Sequence, residues 1–156
     1  MEVTNNSNEK KAIWVYASHR DGIRDPVVLE LLGKGADLAK RAGLRLEAVI
    51  FGSQASSLAE ELLGYGPLAV HWVGDPRLDT FSTVIYTRVL AELARRHAPE
   101  AILLGSDSRN AALAARAAAR LGTGLSAHCI DLKFDRGRLV ETVPGFGGNI
   151  LANIVC

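Results

Sequence analysis

Short apolar runs alternate with amphipathic stretches along most of this chain, and this alternation constrains the fold more than any other feature. The apolar runs have the length and composition of buried strands. They are Ala12–Ala17, Arg45–Gly52, Leu68–Val73 and Glu100–Leu104. Each run is followed by a stretch with helical spacing. These stretches run from Pro26 to Gly43, from Ser57 to about Gly64, over Ser82–His97 and over Ala111–Leu121. Repeated strand–helix units predict a three-layer α/β/α sandwich with a mainly parallel sheet.

The last part of the chain does not continue this alternation of strands and helices. Three further runs are typical of strands, and no helix fits between them. They are Leu125–Phe134, Leu139–Val143 and Asn149–Cys156. Asp135–Arg138 contains a glycine and predicts a hairpin turn. We therefore expect a C-terminal antiparallel extension on the parallel sheet.

Length and charge narrow the class of protein. The chain has 156 residues, about one domain, and its formal net charge is +1. That charge argues against a strongly basic nucleic-acid binder. The longest apolar stretches are short or are interrupted by Arg116 and Arg120, so no membrane insertion is expected.

The N-terminal residues and the cysteines bear on the compartment. Met1–Lys11 is polar and rich in Asn and Ser, which predicts a disordered tail rather than a signal peptide. Cys129 and Cys156 form no disulfide framework, and Cys129 is expected to be a small buried residue. The expected localisation is cytoplasmic.

Two details of the helices can be checked against a structure. Gly33 and Gly35 lie inside the first predicted helix, where each costs ~1 kcal/mol relative to alanine. Either a close backbone contact offsets that cost or the helix is locally weak. In the third helix, Ile85, Val89 and Leu93 are expected to lie on one stripe, which could also include His97.

Enzyme signatures are missing from the sequence. It contains neither a Gly-x-Gly-x-x-Gly loop, nor a Walker A loop, nor a Gly-x-Ser-x-Gly elbow. The four histidines lie far apart, without metal-ligand spacing, and His19 is expected to be a solvated loop residue. The sequence therefore predicts no catalytic residues and no metal site.

Two loops and one arginine remain as candidate sites. Gly105–Asn110 places Ser106 and Ser108 before a helix N-terminus, where they could form an anion cradle or could simply cap the helix. Arg116 belongs either to a solvated face or to an interface or anion site. In Pro144–Asn149, three glycines surround an aromatic residue. Gly148 and Asn149 in that loop are candidate contacts to a nucleotide or a partner backbone, and a flexible connection is the alternative.

Several segments together resemble the N-terminal domain of the α subunit of electron-transfer flavoprotein. The matching segments occur in the family's order and spacing. They are Ile13–Ala17 with His19–Gly22, Leu29–Lys34, Gly105–Ala127, and Pro144 with Phe146–Ile150. One departure is clear, because Asn110-Ala111-Ala112 stands where the family usually has Gly-Arg-Asp.

The resemblance implies an adenine-nucleotide α-hydrolase-like, Rossmann-like domain over residues 12–156. It implies an electron carrier subunit, not an enzyme, that pairs with a β subunit and holds FAD mostly in a further C-terminal domain. That flavin domain is absent from this chain, which is expected to be either an excised domain or a natural short form. Electrons would come from flavoprotein dehydrogenases, as in fatty acid β-oxidation, and the Phe-Gly-Gly-Asn form of the last block favours a bifurcating type.

Two expectations follow from this resemblance. This chain alone should bind no flavin tightly, and Gly145–Asn149 should lie against the β subunit or the flavin domain. The alternative function is a stand-alone adenine-nucleotide-binding module of the universal-stress-protein type, which shares the general fold.

Overall fold

The four helices and the strands of the parallel sheet occur where the sequence predicts them. The computed structural model describes residues 11–135, 138–145 and 150–155. The strands in these ranges are β1 Ala12–Tyr16, β2 His19–Arg20, β3 Ile23–Arg24, β4 Arg45–Phe51, β5 Ala69–Val73, β6 Ala101–Leu103, β7 Asp131–Asp135, β8 Arg138–Gly145 and β9 Ile150–Val155. The α-helices are α1 Val27–Ala42, α2 Ser56–Leu63, α3 Thr83–His97 and α4 Ser108–Leu121.

The parallel sheet has the strand order β5-β4-β1-β6. All three pairings in it are parallel, with Trp14 opposite Glu47 and Val49 opposite His71. The chain builds outward from β1 through β4 to β5 and then crosses to the other side of β1 to form β6. The topological switch point therefore lies between β1 and β6.

Hydrophobic side chains fill both faces of this sheet. Alternate residues of β1 point to opposite sides, so Ile13 and Val15 pack with α1 and α2, whereas Trp14 and Tyr16 pack with α3 and α4. All four side chains are buried. Two separate cores on the two faces confirm the predicted three-layer α/β/α sandwich.

The most buried stripe of α3 is not the predicted one. Tyr86, Leu90 and Ala94 are buried, whereas Ile85 is 39% exposed and Val89 is half-buried. Tyr86 fixes this orientation, because its hydroxyl donates to the Leu78 carbonyl at 2.5 Å and its ring contacts the ring of Phe51. Val89 and Leu93 of the predicted stripe pack against this core, whereas Ile85 does not. The helix has apolar residues on two adjacent stripes, and spacing alone does not choose the more buried one.

Helix starts were predicted less well than helix ends. Gly43 and Gly122 end α1 and α4 in the left-handed conformation, each with φ +68°. The spacing of Ser57 and Glu60 is that of a capping box and predicts a cap at Ser57, but α2 begins at Ser56 and no side chain caps it. Helix α4 begins at Ser108, three residues before the predicted start, because the Asp107 carboxylate accepts hydrogen bonds from its first amides.

The C-terminal strands are antiparallel, as predicted, but they form a sheet of their own. Its order is β7-β8-β9, and Asp135 pairs with Arg138 across the predicted hairpin. β7 begins at Asp131 rather than Leu125. This sheet lies against α1, because Phe134 packs on the core beneath α1 and the Lys34 ammonium contacts the Asp131 carboxylate at 2.6 Å.

No helix in the described residues is both long enough and apolar enough to cross a bilayer.

Candidate functional site at the carboxyl edge of the sheet

The loops after β1 and β6 meet at the switch point, where open α/β sheets bind ligands. β1 and β6 are parallel neighbours, so both loops leave the sheet at the same edge. The first loop carries Ser18 and Asp25, and the second carries Gly105 and Asp107. The Asp25 amide donates to the Ser18 carbonyl at 3.0 Å and closes the first loop on itself.

Asn110 joins the two loops. Its side chain is 2% exposed, and its amide nitrogen donates to the Ser18 hydroxyl at 3.2 Å. The same amide group also donates to Oδ2 of Asp107. Since Ser18 is itself buried, these contacts place a satisfied polar cluster inside the crevice between β1 and β6.

The amides at the start of α4 already have an anionic partner. Oδ1 of Asp107 accepts hydrogen bonds from the amides of Arg109 and Asn110 at 3.0 and 3.2 Å. The loop backbone is also closely packed on one side, because a Cβ on Gly105 would lie 3.1 Å from both the Asn110 side chain and the Val27 side chain. The chain's own groups therefore fill the position that a phosphate occupies in nucleotide-binding members of such folds.

The electrostatics of this edge disfavour a second anion. Burial raises the pKa of the Tyr16 phenol, and the nearby Tyr86, Asp25 and Asp107 raise it further, so Tyr16 stays neutral. A phosphate entering here would meet the carboxylates of Asp25 and Asp107.

The sequence-predicted site residues do not all come together. Ser106 and Ser108 are exposed beside each other at the start of α4. Arg116 is exposed on the same helix but eight residues further on, about 12 Å along the axis. Gly148 and Asn149 lie outside the described residues. The assignment of these residues to a nucleotide or an interface stays a prediction.

His19 is not the solvated loop residue that the sequence suggests. It is half-buried, and its Nε2 donates to the Phe51 carbonyl at 2.6 Å. A carbonyl oxygen only accepts, so Nε2 carries the hydrogen. This bond ties the hairpin of β2 and β3 to the end of β4, and it gives His19 a structural contact.

A second polar cluster lies within the sheet, around a carboxylate that the sequence analysis missed. Glu47 on β4 is 5% exposed, and its Oε2 accepts from Trp14 Nε1 at 2.9 Å and from His71 Nε2 at 2.8 Å. Its Oε1 lies 3.2 Å from the guanidinium of Arg45. The ring of His71 also packs at a tilt against the rings of Trp14 and His97, with centroids 4.8 and 4.6 Å apart. One carboxylate thus links three neighbouring strands to the end of α3.

The surroundings of Glu47 keep it ionised. Burial by itself raises the pKa of this carboxyl. Hydrogen bonds from His71 and Trp14, together with the charges of His71 and Arg45, outweigh burial and hold the pKa below its ordinary value. The signal that could have revealed this cluster is the single acidic residue inside the apolar run of β4.

Neither cluster has the arrangement of a catalytic site. In each of them, the polar atoms bond to one another and hold neighbouring strands and loops together. Across the described ranges, no group of three or more His, Cys, Asp or Glu side chains could hold a metal ion.

The Asn110 contacts should contribute measurably to stability. Asn110→Ala removes the partner of the buried Ser18 hydroxyl, so we expect the free energy of unfolding to fall by about 1–2 kcal/mol. Chemical denaturation at pH 7 measures this change. Ser106→Ala is the control, since replacing this exposed side chain should change the free energy of unfolding by less than about 0.5 kcal/mol. Equal effects of the two substitutions would show that the switch-point cluster is not stabilising.

Comparison with known proteins gives the family. The family model for the electron transfer flavoprotein domain matches residues 13–156. The chain belongs to the electron transfer flavoprotein family. This confirms the resemblance drawn from the sequence, and the described fold is consistent with a Rossmann-like domain of that family.

Similar curated members of the electron transfer flavoprotein family are α subunits and related electron-transfer subunits. The chain is 39% identical over 150 residues to the electron transfer flavoprotein subunit alpha of Thermoanaerobacterium thermosaccharolyticum, covering 96% of this chain and 46% of that protein. It is 39% identical over 153 residues to the same subunit of Clostridium acetobutylicum, covering 97% and 46%. It is 38% identical over 146 residues to lactate dehydrogenase (NAD(+),ferredoxin) subunit LctC of Acetobacterium woodii, covering 93% and 35%. The chain therefore spans less than half the length of these relatives.

Proposed function

We propose that this chain is the N-terminal scaffold domain of an electron-transfer flavoprotein α subunit, and that it supports a heterodimer that carries electrons through FAD. The family match covers nearly all of the chain, while the α-subunit relatives are about twice as long. The flavin then belongs to the rest of the complex. The role of this domain is to provide a rigid wall on which the flavin domain and the β subunit are held.

The filled switch point is the single observation that carries the scaffold role. FAD binding at this edge would require donors for a pyrophosphate, but the Arg109 and Asn110 amides at the start of α4 are bonded to the Asp107 carboxylate. The Asn110 side chain fills the space between the two loops. The residues present at this position therefore do not fit the pyrophosphate of FAD, and no electron-transfer step is assigned to them.

The partners of this chain and the electron route through its complex are proposed from the family. We infer a β subunit as the permanent partner, flavoprotein dehydrogenases as electron donors, and the cytoplasm as the compartment. The name of the Acetobacterium woodii relative joins NAD+ and ferredoxin to one dehydrogenase. That name supports the bifurcating type for the complex that contains this chain. The loop Gly145–Asn149 remains the proposed contact to the β subunit or the flavin domain.

A flavin titration tests the scaffold role. The purified chain should be colourless, and isothermal calorimetry with FAD should give a Kd of about 0.1–1 mM or weaker, because the switch point offers no phosphate site. AMP should bind equally weakly. Flavin absorbance at one equivalent would contradict the proposal and indicate a self-contained flavoprotein. Tight binding of AMP or ATP without flavin would favour a nucleotide-binding module of the universal-stress-protein type instead.

A further inference from the structure

Five exposed arginines lie on the outer sides of the adjacent helices α3 and α4. Arg88 and Arg95 are seven residues apart on α3, so they lie on the same side of that helix. On α4, Arg116 follows Arg109 by seven residues and precedes Arg120 by four, which also places these three on one side. All five side chains are exposed. We call Arg88, Arg95, Arg109, Arg116 and Arg120 the arginine row.

Two contacts place three arginines of the row, Arg95, Arg109 and Arg120, at the seam between α3 and α4. The Arg95 guanidinium donates to the Arg120 carbonyl at 2.7 Å, across from α3 to the end of α4. The Arg109 guanidinium lies over the ring of Phe81, 5.6 Å from its centroid, just before α3 begins. The first contact is at one end of the seam and the second is at the other, so the row runs along its length.

The arginines of the row have no carboxylate partner of their own among the described residues. In the described part of the chain, none of the five arginines forms an ion pair with a carboxylate. The one acidic residue of α3, Glu92, contacts Arg96 instead. α4 itself contains no acidic residue. The five arginines stand beside two carboxylates, those of Glu92 and of Asp107 at the start of α4, so this face has a net positive charge although the whole chain has a formal net charge of only +1.

The chemistry of the row fits carboxylates on a protein surface. Every charge in it is an arginine, whose planar guanidinium can bind a carboxylate through two hydrogen bonds. The neighbouring surface is apolar and shallow, since Val84 is 66% exposed and the outer side of α4 presents the exposed residues Ala112, Ala115 and Ala119. Arginine combined with exposed apolar area is typical of protein interfaces.

We propose that the arginine row is a docking surface for an acidic partner protein, whose carboxylates bind between α3 and α4. Unpaired like charges repel one another in the free chain, and an acidic partner removes that repulsion as it binds. The proposal concerns this chain's own surface and does not depend on the flavin-carrying complex. It assigns Arg116 to a protein interface rather than to a nucleotide.

Binding of a labelled oligoglutamate peptide tests this proposal. Fluorescence anisotropy would compare the wild-type chain with the double variant Arg88→Glu/Arg116→Glu. The matched control is Arg20→Glu/Lys40→Glu, which makes the same charge change at two exposed residues outside α3 and α4. Oligoglutamine of equal length, a DNA duplex and anionic lipid vesicles are the comparison ligands.

We expect the row variant to bind oligoglutamate about tenfold more weakly and the control to stay within about twofold of the wild type. Binding should also weaken when NaCl rises from about 50 to about 200 mM. Thermal melting should show both variants folded, because the substituted side chains are exposed. Equal binding by both variants would overturn the proposal. Preferential binding of DNA or vesicles over oligoglutamate would overturn it in favour of a phosphate-rich partner.

Discussion

Replacing Glu47 by leucine is expected to lower the free energy of unfolding by about 3 kcal/mol at pH 7. The substitution leaves the Trp14 indole N–H buried without an acceptor and separates Arg45 and His71 from their shared carboxylate. Removing one member of a buried ionic cluster typically costs about 3–5 kcal/mol. We take the lower end because the Arg45 and His71 side chains are 31% and 20% exposed. The melting temperature should fall by roughly 6–12 °C.

The pH dependence of this effect identifies its cause. The pKa of Glu47 lies below its ordinary value of 4.5 in the folded chain, so ionised Glu47 stabilises the fold at pH values above 4.5. That contribution is lost as the pH falls through the folded pKa. Urea denaturation should therefore show a wide gap between wild type and Glu47→Leu at pH 7 and a narrower gap in acid. Glu60→Gln, at an exposed position on α2, is the control. A gap that does not change with pH would show that the carboxylate charge is not responsible.

Replacing Gly35 by leucine should destabilise the chain by a similar amount. A Cβ at this buried position of α1 would lie 2.8 Å from a methyl group of Leu46 and 3.3 Å from one of Val15. The larger side chain has no free volume to enter, and overpacking a core costs typically about 1–3 kcal/mol. We expect the loss to be about 3 kcal/mol by chemical denaturation, because the whole leucine side chain must fit between α1 and the sheet.

Gly33 provides the matched comparison on the same helix. It is exposed, and a Cβ added to it would have no other atom within 4 Å. Gly33→Ala should therefore stabilise the chain by about 0.5–1 kcal/mol through helix propensity alone. If Gly33→Ala and Gly35→Leu changed stability in the same direction, the close approach of α1 to the sheet would not explain Gly35.

Local patterns predicted most of the fold because they act over short distances. The apolar run beginning at Ala12 gave the central strand, and Gly43 and Gly122 marked helix ends through their left-handed conformation. The order of elements then limited the topology to a parallel sheet with helices on both faces. Predictions failed where two sides of a helix were similarly apolar, as for the two stripes of α3 that contain Tyr86 and Ile85.

The polar clusters could not be predicted in this way. The Asn110 side chain contacts Ser18 across 92 positions of sequence, and it does so because β6 pairs with β1. The partners of Glu47 likewise come from β1 and β5. Sequence spacing identified Gly105–Asn110 as a loop of interest, but only the sheet order shows that Asn110 fills the crevice there.

Native mass spectrometry of the protein purified from its own cells tests the central claim most directly. The scaffold role predicts a one-to-one complex of the polypeptide that contains this chain with a second, electron-transfer flavoprotein β-type subunit, carrying FAD. After limited proteolysis, the fragment that contains residues 12–156 should appear without flavin mass. A protein that migrates without such a partner and retains one adenine nucleotide on this domain would contradict the account.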